Sequence, residues 1–154
     1  MAFKEAEVAA IKKVLEDHSD AKVYLGSDSQ RQKKKKVKYA TSIVIHYHDE
    51  NGIGKGGKVF TDILIEPAIQ ENLARPFVRM MREVALVTEL YMSLEDVLLE
   101  RDVEIHIDVN PEKGAGSNVA YGAAIGMIEG MIGITPVTKP DAWCASTVSD
   151  KFTK

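Results

Sequence analysis

Alternating apolar and polar residues predict three extended strands in the first half of the chain. Residues 22–29 form a first short run, and along 37–48 the alternate positions are Val37, Tyr39, Thr41, Ile43, Ile45 and Tyr47. Successive side chains of a strand point to opposite faces, so this period of two places that row on one face. A glycine-rich turn at 51–57 then leads into a third strand over 58–65. We therefore expect a meander of three antiparallel strands.

Helical spacing replaces this alternation at the N-terminus and in the second half. Residues 1–20 predict an accessory N-terminal helix, with the stripe Val8, Ile11 and Leu15. Pro76 suits the first position of a long helix toward Arg101, with a buried stripe of Phe77, Met80, Val84, Val87 and Tyr91. The elements that follow are a strand over 103–109, a helix capped by Ser117, a strand over 134–138 and a helix after Pro140.

This order of elements predicts an α/β fold in a single domain, 1–154. Right-handed crossovers would place strands four and five parallel to strand one, on its free side. The expected architecture is a five-stranded mixed sheet of order 3-2-1-4-5, flanked by helices, with the extra N-terminal helix. The apolar segment 119–135 carries glycines at 122, 126 and 130. Because it is short for a membrane span and contains Glu129, we expect a buried helix whose glycines allow close approach to the sheet.

The amino-acid composition indicates the domain count and the cellular compartment more than it indicates the function. The chain has 154 residues, 45% hydrophobic and 28% charged, which is typical of one globular domain. A formal charge of -3 gives no overall attraction to nucleic acid, so such a partner would need a local basic patch. Cys144 is the only cysteine, which excludes an internal disulfide and a cysteine-rich zinc site. The N-terminus lacks the apolar run of a signal peptide, and we expect a cytoplasmic protein without membrane association.

Four acidic residues are predicted to meet at one edge of the sheet. Asp28 ends strand one, and Asp108 lies near the end of strand four. Glu83 and Asp150 would each lie two turns into a helix that starts at the same edge, roughly 10 Å along it. Ligands of open α/β sheets usually bind in that crevice. Clustered carboxylates stay ionised together only when divalent cations neutralise them.

Two of these assignments have alternatives. Glu71 replaces Glu83 if the long helix starts before Pro76, and Asp141 is closer to the strand ends than Asp150. Acidic residues on helices are ordinarily solvated, so the strand residues carry most of the argument. Aspartate is disfavoured in strands, and both strand residues interrupt apolar runs.

The chemistry that uses such a cluster is phosphodiester hydrolysis. Oxygen ligands suit Mg²⁺ or Mn²⁺, and two ions roughly 4 Å apart can activate a water and stabilise the leaving oxygen. Asp28 would bridge both ions, Glu83 and Asp108 would hold one, and Asp150 would complete the other. A basic run beside the site could hold a phosphate backbone without reading sequence. The residues proposed to contact substrate are Lys33, Lys34, Lys35 and Lys36, with Gln30, Lys139 and Ser146 as weaker candidates.

Other groups of residues favour ordinary structural roles. His46 and His48 share a strand face and His106 lies on strand four, but no third zinc ligand follows at local spacing. The turn at 114–116 is glycine-rich before a helix, yet Val119 stands in place of the third glycine of a dinucleotide-binding motif. Cys144 is interpreted as a small core residue.

Three separated segments resemble one known family. They are Val-Tyr-Leu-Gly-Ser-Asp-Ser-Gln at 23–30, Ile-His-Ile-Asp-Val-Asn-Pro at 105–111 and Lys-Pro-Asp-Ala-Trp-Cys-Ala-Ser-Thr-Val-Ser-Asp-Lys at 139–151. With Arg82-Glu83-Val84 in the helix, they resemble the ribonuclease-H-like YkuK family, although Ser149 stands where alanine is expected. The resemblance implies a ribonuclease H fold, with the four acidic positions carried over.

The expected function is therefore a metal-dependent nuclease of ribonuclease H type. Its substrate would be RNA, an RNA–DNA hybrid or structured DNA. The alternative is an inert module of the same fold that binds nucleic acid or protein, and a nucleotide-binding switch built on the glycine turn is a third hypothesis. A homo-oligomer is compatible with either leading function.

Overall fold

The computed structural model describes residues 3–48, 51, 53–68, 77–109, 111–112 and 120–153. Its elements are α1 (Glu5–Asp17), β1 (Lys22–Gln32), β2 (Lys36–His48), β3 (Gly54–Pro67), α2 (Phe77–Ser93), α3 (Glu95–Leu98), β4 (Val103–His106), α4 (Tyr121–Ile132), a π-helix (Cys144–Ser149) and α5 (Asp150–Thr153). The predicted helix start at Pro76, the alternative ligand Glu71, the Ser117 cap and the glycine turn at 114–116 lie outside these residues.

One mixed sheet organises the chain. Its strand order is β3-β2-β1-β4, in which β2 runs antiparallel to both of its neighbours and β4 runs parallel to β1. The predicted meander is thus the hairpin series β1 to β3. The parallel strand β4 lies on the free side of β1, so the two carboxyl-terminal ends share an edge.

The described residues form four strands rather than the five we predicted. Val137 makes a single parallel bridge to His106, through hydrogen bonds of 2.8 Å to Ile105 and 2.9 Å from Ile107. Beyond this bridge the Lys139 N–H donates to the Val109 carbonyl at 3.0 Å, whereas a continued parallel ladder would use the Ile107 carbonyl, so the register is lost. The segment 134–138 therefore follows β4 without becoming a strand.

Helices α1, α2 and α4 pack on one face of the sheet. This face carries Val23 and Leu25 of β1, which are fully buried in the main core. Helix α1 adds Ile11 and Leu15 to the same core. The Arg101 guanidinium donates to the backbone carbonyls of Leu15, His18 and Ser19, which fixes the end of α1. The N-terminal helix is therefore packed within the chain.

The C-terminal segment covers the opposite face, which we call the C-terminal face and which carries Tyr24, Gly26 and Asp28. A Cβ atom on Gly26 would lie 2.7 Å from backbone atoms of both Cys144 and Ala145. Glycine is therefore what allows the π-helix to lie directly on β1. The helix predicted after Pro140 exists, but its first six residues are π-helical and only Asp150–Thr153 is α-helical.

The glycines of α4 do not face the sheet, and that prediction was wrong. A Cβ atom on Gly122, Gly126 or Gly130 would meet nothing within 4 Å. The helix buries Ala124 and Ile128 instead, which lie four residues apart on another face. No helix in the described part of the chain is both long enough and apolar enough to span a membrane.

Candidate active site

The register of the sheet brings Asp28 beside Asp108. The parallel ladder of β1 and β4 ends at the pair Gly26 and His106, so each aspartate lies two residues beyond the last pair. Side chains alternate along a strand, which places both carboxylates on the same face. Asp28 is 7% exposed and pairs with Ala40 of β2 on its other side.

Asp28 also contacts the first residue of α5. Its carboxyl group, when protonated, donates a hydrogen bond to the Asp150 side chain. Burial, the hydrogen bond with Asp150 and the negative charge of Asp108 raise the pKa of Asp28 to about 7. The C-terminal segment thus delivers Asp150 to the end of β1.

Glu83 reaches the same point from the helical side of the sheet. It lies on α2, is 7% exposed, and accepts a 2.5 Å hydrogen bond from the Ser29 hydroxyl at Oε2. Burial raises the pKa of Glu83 well above its ordinary value, and the charges of Asp28 and Asp108 raise it further. The Ser29 hydrogen bond and the nearby Arg79 act in the opposite direction.

Asp108 faces a small cavity between β4 and α2. Its Oδ1 atom is buried, and no described residue makes a hydrogen bond to it. The Lys139 ammonium lies 3.3 Å from that oxygen, at ion-pair distance but without hydrogen-bond geometry. The cavity has a volume of about 10 Å³ and is lined by Ser27, Met80, Glu83, Val84, Ile107, Asp108 and Val109. A space of this size admits one water-sized group.

Asp28 therefore interacts with Asp150 by a hydrogen bond and with Glu83 and Asp108 through charge. Among the described residues, no group of three or more His, Cys, Asp or Glu side chains is arranged to hold a metal ion as it stands. The alternative Asp141 is exposed in the turn that precedes the π-helix. It is Asp150 that bonds to Asp28.

The family follows from a comparison with family models. The model described as Ribonuclease H-like matches residues 7–154. The chain belongs to the ribonuclease H-like family. No curated protein and no solved structure matches the chain significantly. The narrower resemblance to the YkuK group stays a prediction.

In this ribonuclease H-like chain the basic run forms the turn between β1 and β2. The residues expected to contact substrate there, Gln30 and Lys33 to Lys36, are all exposed. Lys34 and Lys35 have positive φ angles of 62° and 55°, a left-handed conformation that non-glycine residues rarely adopt. Asp28 lies four positions before Gln32, where the turn starts, which is roughly 13 Å along an extended chain.

Two of the three weaker substrate candidates lie together on the other side of the site. Lys139 and Ser146 line one open depression of about 450 Å³, with Pro111, Glu112 and Pro140. Since Lys139 also lies beside Asp108, the depression adjoins the acidic residues. The sequence suggested these two residues separately, and the fold groups them.

Two positioning residues were not predicted from the sequence. Ser29 is the clearest case, because its partner Glu83 lies 54 positions away and no local spacing connects the two. His106 is another: its Nδ1 accepts the Cys144 N–H at 3.0 Å, and its Nε2 lies 2.9 Å from Glu104. Burial lowers the pKa of His106, so the neutral ring locks the π-helix to β4.

Proposed function

We propose that this chain is a divalent-metal-dependent nuclease that hydrolyses phosphodiester bonds in RNA, an RNA–DNA hybrid or structured DNA. Asp28, Glu83, Asp108 and Asp150 would hold Mg²⁺ or Mn²⁺, with two ions at the full site. The observation that carries the proposal is that Asp28 interacts with the three other carboxyl groups, Glu83, Asp108 and Asp150, at the shared end of β1 and β4. Family membership supports a fold of nuclease type.

The residues present suit a divalent cation. Every side chain of the set offers oxygen, the ligand that Mg²⁺ and Mn²⁺ prefer. Asp108 Oδ1 is buried without a hydrogen bond from any described residue, and the cavity beside it also borders Glu83. A buried acceptor without a hydrogen bond is costly, and a metal ion in place of the Lys139 ammonium, which lies 3.3 Å away, would offset that cost. When bound, the metal would supply an activated water and stabilise the leaving oxygen.

The acidic side chains themselves must first lose protons. Because the pKa values of Asp28 and Glu83 are raised, both are protonated more readily than exposed carboxylic acids. Ligands must be deprotonated before they hold a cation, so binding would release protons and strengthen as the pH rises. Ser29 assists, because its hydroxyl favours the ionised form of Glu83.

Substrate binding would use the two basic regions that flank the acidic residues. The turn at Lys33–Lys36 lies beyond Asp28, and the depression with Lys139 and Ser146 lies beside Asp108. Lysine contacts to phosphates give affinity that falls with salt and does not depend on sequence. A strand of nucleic acid running from one region to the other would pass over the carboxylates.

A cleavage assay on a mixed panel of RNA, hybrid and branched DNA tests this proposal. We expect turnover with Mg²⁺ or Mn²⁺, and at least a 100-fold loss in Asp28→Asn, Asp108→Asn and Asp150→Asn, since weakening even an indirect ligand contact costs about 10–100-fold. Asp141→Asn is the matched control, because this aspartate is exposed in the turn before the π-helix, and it should keep full activity. Thermal unfolding would verify that each variant folds. Loss of activity in Asp141→Asn with retention in Asp150→Asn would reverse the ligand assignment.

One observation favours the alternative of an inert binding module. No three ligand side chains are arranged for an ion among the described residues. Under that hypothesis the chain binds nucleic acid tightly without turnover in any metal. The same panel distinguishes the two functions, because binding is measured by electrophoretic mobility shift beside cleavage.

A further inference from the structure

Among the described residues, strand β3 leaves one side of the sheet open. It is the outermost strand, and it pairs with β2 along its length apart from a bulge at residue 55. No backbone group of a described residue is hydrogen-bonded to the outward side of β3. An edge of this length is a template for another strand, because alternate N–H and C=O groups point outward.

The side chains of this edge strengthen the case. Val59, Ile63 and Ile65 lie on one face by their spacing of two and are 50%, 41% and 56% exposed. Proteins usually protect an edge with lysine, proline or a bulge. The stretch from Val59 to Glu66 contains neither residue type, and its pairing with β2 is regular. This exposed row is therefore both apolar and unprotected.

We propose that β3 pairs antiparallel with β3 of a second copy of the chain, about a two-fold axis at Thr61. The two four-stranded sheets would then join into one of eight strands. A two-fold axis uses the same patch on both copies, so the patch must complement itself. Centred on Thr61, the pairing places Val59 opposite Ile63 of the partner subunit, and the reverse, so these two members of the exposed row cover each other, while Ile65 lies opposite a glycine at position 57.

Charge supports this register over the one centred on Asp62, and the apolar row supports it over the one centred on Phe60, which would place Val59 opposite Thr61. With Thr61 at the centre, Lys58 lies diagonally between Asp62 and Glu66 of the partner subunit, on the opposite face from the apolar row, and the two Asp62 side chains are diagonal neighbours. Opposite charges on neighbouring strands stabilise a sheet, and like charges directly opposite destabilise it. A register centred on Asp62 would place the two Asp62 side chains opposite each other. A register shifted by one residue would instead point paired side chains to different faces.

The joined sheet would also fix where the two candidate active sites lie relative to each other. Asp28 pairs with Ala40, and Ala40 pairs with Ile63, so the apolar row lies on the C-terminal face that carries Asp28. A two-fold axis perpendicular to the sheet keeps both sites on one face. Five strand spacings would separate the two β1 strands, roughly 24 Å.

Cross-linking at the axis tests the register. Thr61→Cys puts two cysteines opposite each other, and a short bismaleimide should convert the protein to covalent dimer. Ile65→Cys is the matched control on the same row, because the two cysteines would be eight residues apart, roughly 26 Å along the strands. Cys144 is fully buried and should not react. Equal cross-linking at both positions, or none at residue 61, would overturn the register.

A second variant tests the interface itself. We expect the wild-type chain to sediment as a dimer and Ile63→Lys to raise the dissociation constant at least tenfold, about 1.4 kcal/mol. Met92→Lys is the control, since Met92 is 50% exposed on α2, away from β3. Circular dichroism would show that both variants fold. A monomeric wild-type chain, or a dimer that Ile63→Lys leaves unchanged, would contradict the proposal.

Discussion

Each of the four carboxyl groups has its own local environment, and these environments decide where protons reside. Glu83 is buried where α2 meets β1, and the Ser29 hydroxyl and the nearby Arg79 favour its ionised form. Burial, the hydrogen bond with Asp150 and the charge of Asp108 raise the pKa of Asp28, whereas the Lys139 ammonium lies beside Asp108. Asp28 and Glu83 therefore carry protons more readily than ordinary acids, and a bound cation would favour their ionised forms.

Ser29→Ala tests this dependence at the level of one residue. Loss of the hydroxyl removes the hydrogen bond that lowers the pKa of Glu83, so Mn²⁺ affinity at neutral pH should fall about 10–100-fold. Isothermal titration calorimetry measures the affinity. Ser93→Ala is the control, because that hydroxyl bonds the Leu90 carbonyl near the far end of α2. Unchanged affinity in Ser29→Ala would mean that the hydroxyl does not tune the site.

Sequence reasoning identified residues that break a local pattern and missed residues that act across the chain. Asp28 and Asp108 were identifiable because each interrupts an apolar strand, and the register then brings them together. Ser29 was not, because its role depends on a partner 54 positions away. The choice of Asp150 over Asp141 also needed the fold, since both follow the same strand end.

At the level of elements, the contact between the π-helix and β1 holds Asp150 in place. Gly26 allows the backbones to touch, and Ser149 donates a hydrogen bond to the Gly26 carbonyl at 3.2 Å. The serine that departs from the expected alanine is thus fully buried and bonded. Any side chain at residue 26 would push the C-terminal segment, and Asp150 with it, away from the end of β1.

Gly26→Ala should lower the free energy of unfolding by about 1–3 kcal/mol, because the new Cβ atom would overlap backbone rather than a flexible side chain. It should also weaken Mn²⁺ binding. Gly122→Ala is the matched control: its Cβ atom meets nothing within 4 Å, and alanine stabilises a helix by up to about 1 kcal/mol over glycine. Urea denaturation measures the free energy of unfolding of both variants. If Gly26→Ala leaves the free energy of unfolding unchanged, the close contact between the π-helix and β1 does not limit the side chain at this position.

The packing of α4 shows why element faces are harder to predict than elements. The helix was predictable from its apolar composition, but nearly every position is apolar or small, so the pattern does not identify the buried face. Three glycines spaced by four suggested a close contact, and the packed residues are Ala124 and Ile128. Apolar and polar residues alternate more strictly in the strands, so the order of the first three strands could be predicted.

For the whole molecule, the acidic edge couples stability to pH. The pKa of Asp28 is about 7 in the fold against an ordinary value of 3.8, and burial raises the pKa of Glu83 in the same direction. A group whose pKa rises on folding adds stability at low pH, and that contribution disappears as the pH rises through the folded value. The metal-free chain should therefore lose stability on the alkaline side of neutrality.

Between about pH 6 and pH 8, the titration of Asp28 should lower the free energy of unfolding by roughly 1 kcal/mol. Urea denaturation in EDTA measures this slope. Asp28→Asn cannot titrate and should flatten it, with greater stability than the wild-type chain at pH 8. If both proteins show the same slope, Asp28 is not the titrating group. Added Mn²⁺ should stabilise only the wild-type chain appreciably, by about 2.7 kcal/mol at 100 times its dissociation constant.

The most direct test is a crystal of this chain soaked in Mn²⁺ and measured at a wavelength that reveals manganese by anomalous scattering. We expect one or two peaks among the carboxylates of Asp28, Glu83, Asp108 and Asp150, with the Asp28–Asp150 hydrogen bond broken and Lys139 moved away from Asp108. A crystal that diffracts well but shows no manganese at this edge, or shows it only elsewhere, would contradict the claim that bound cations hold these side chains together.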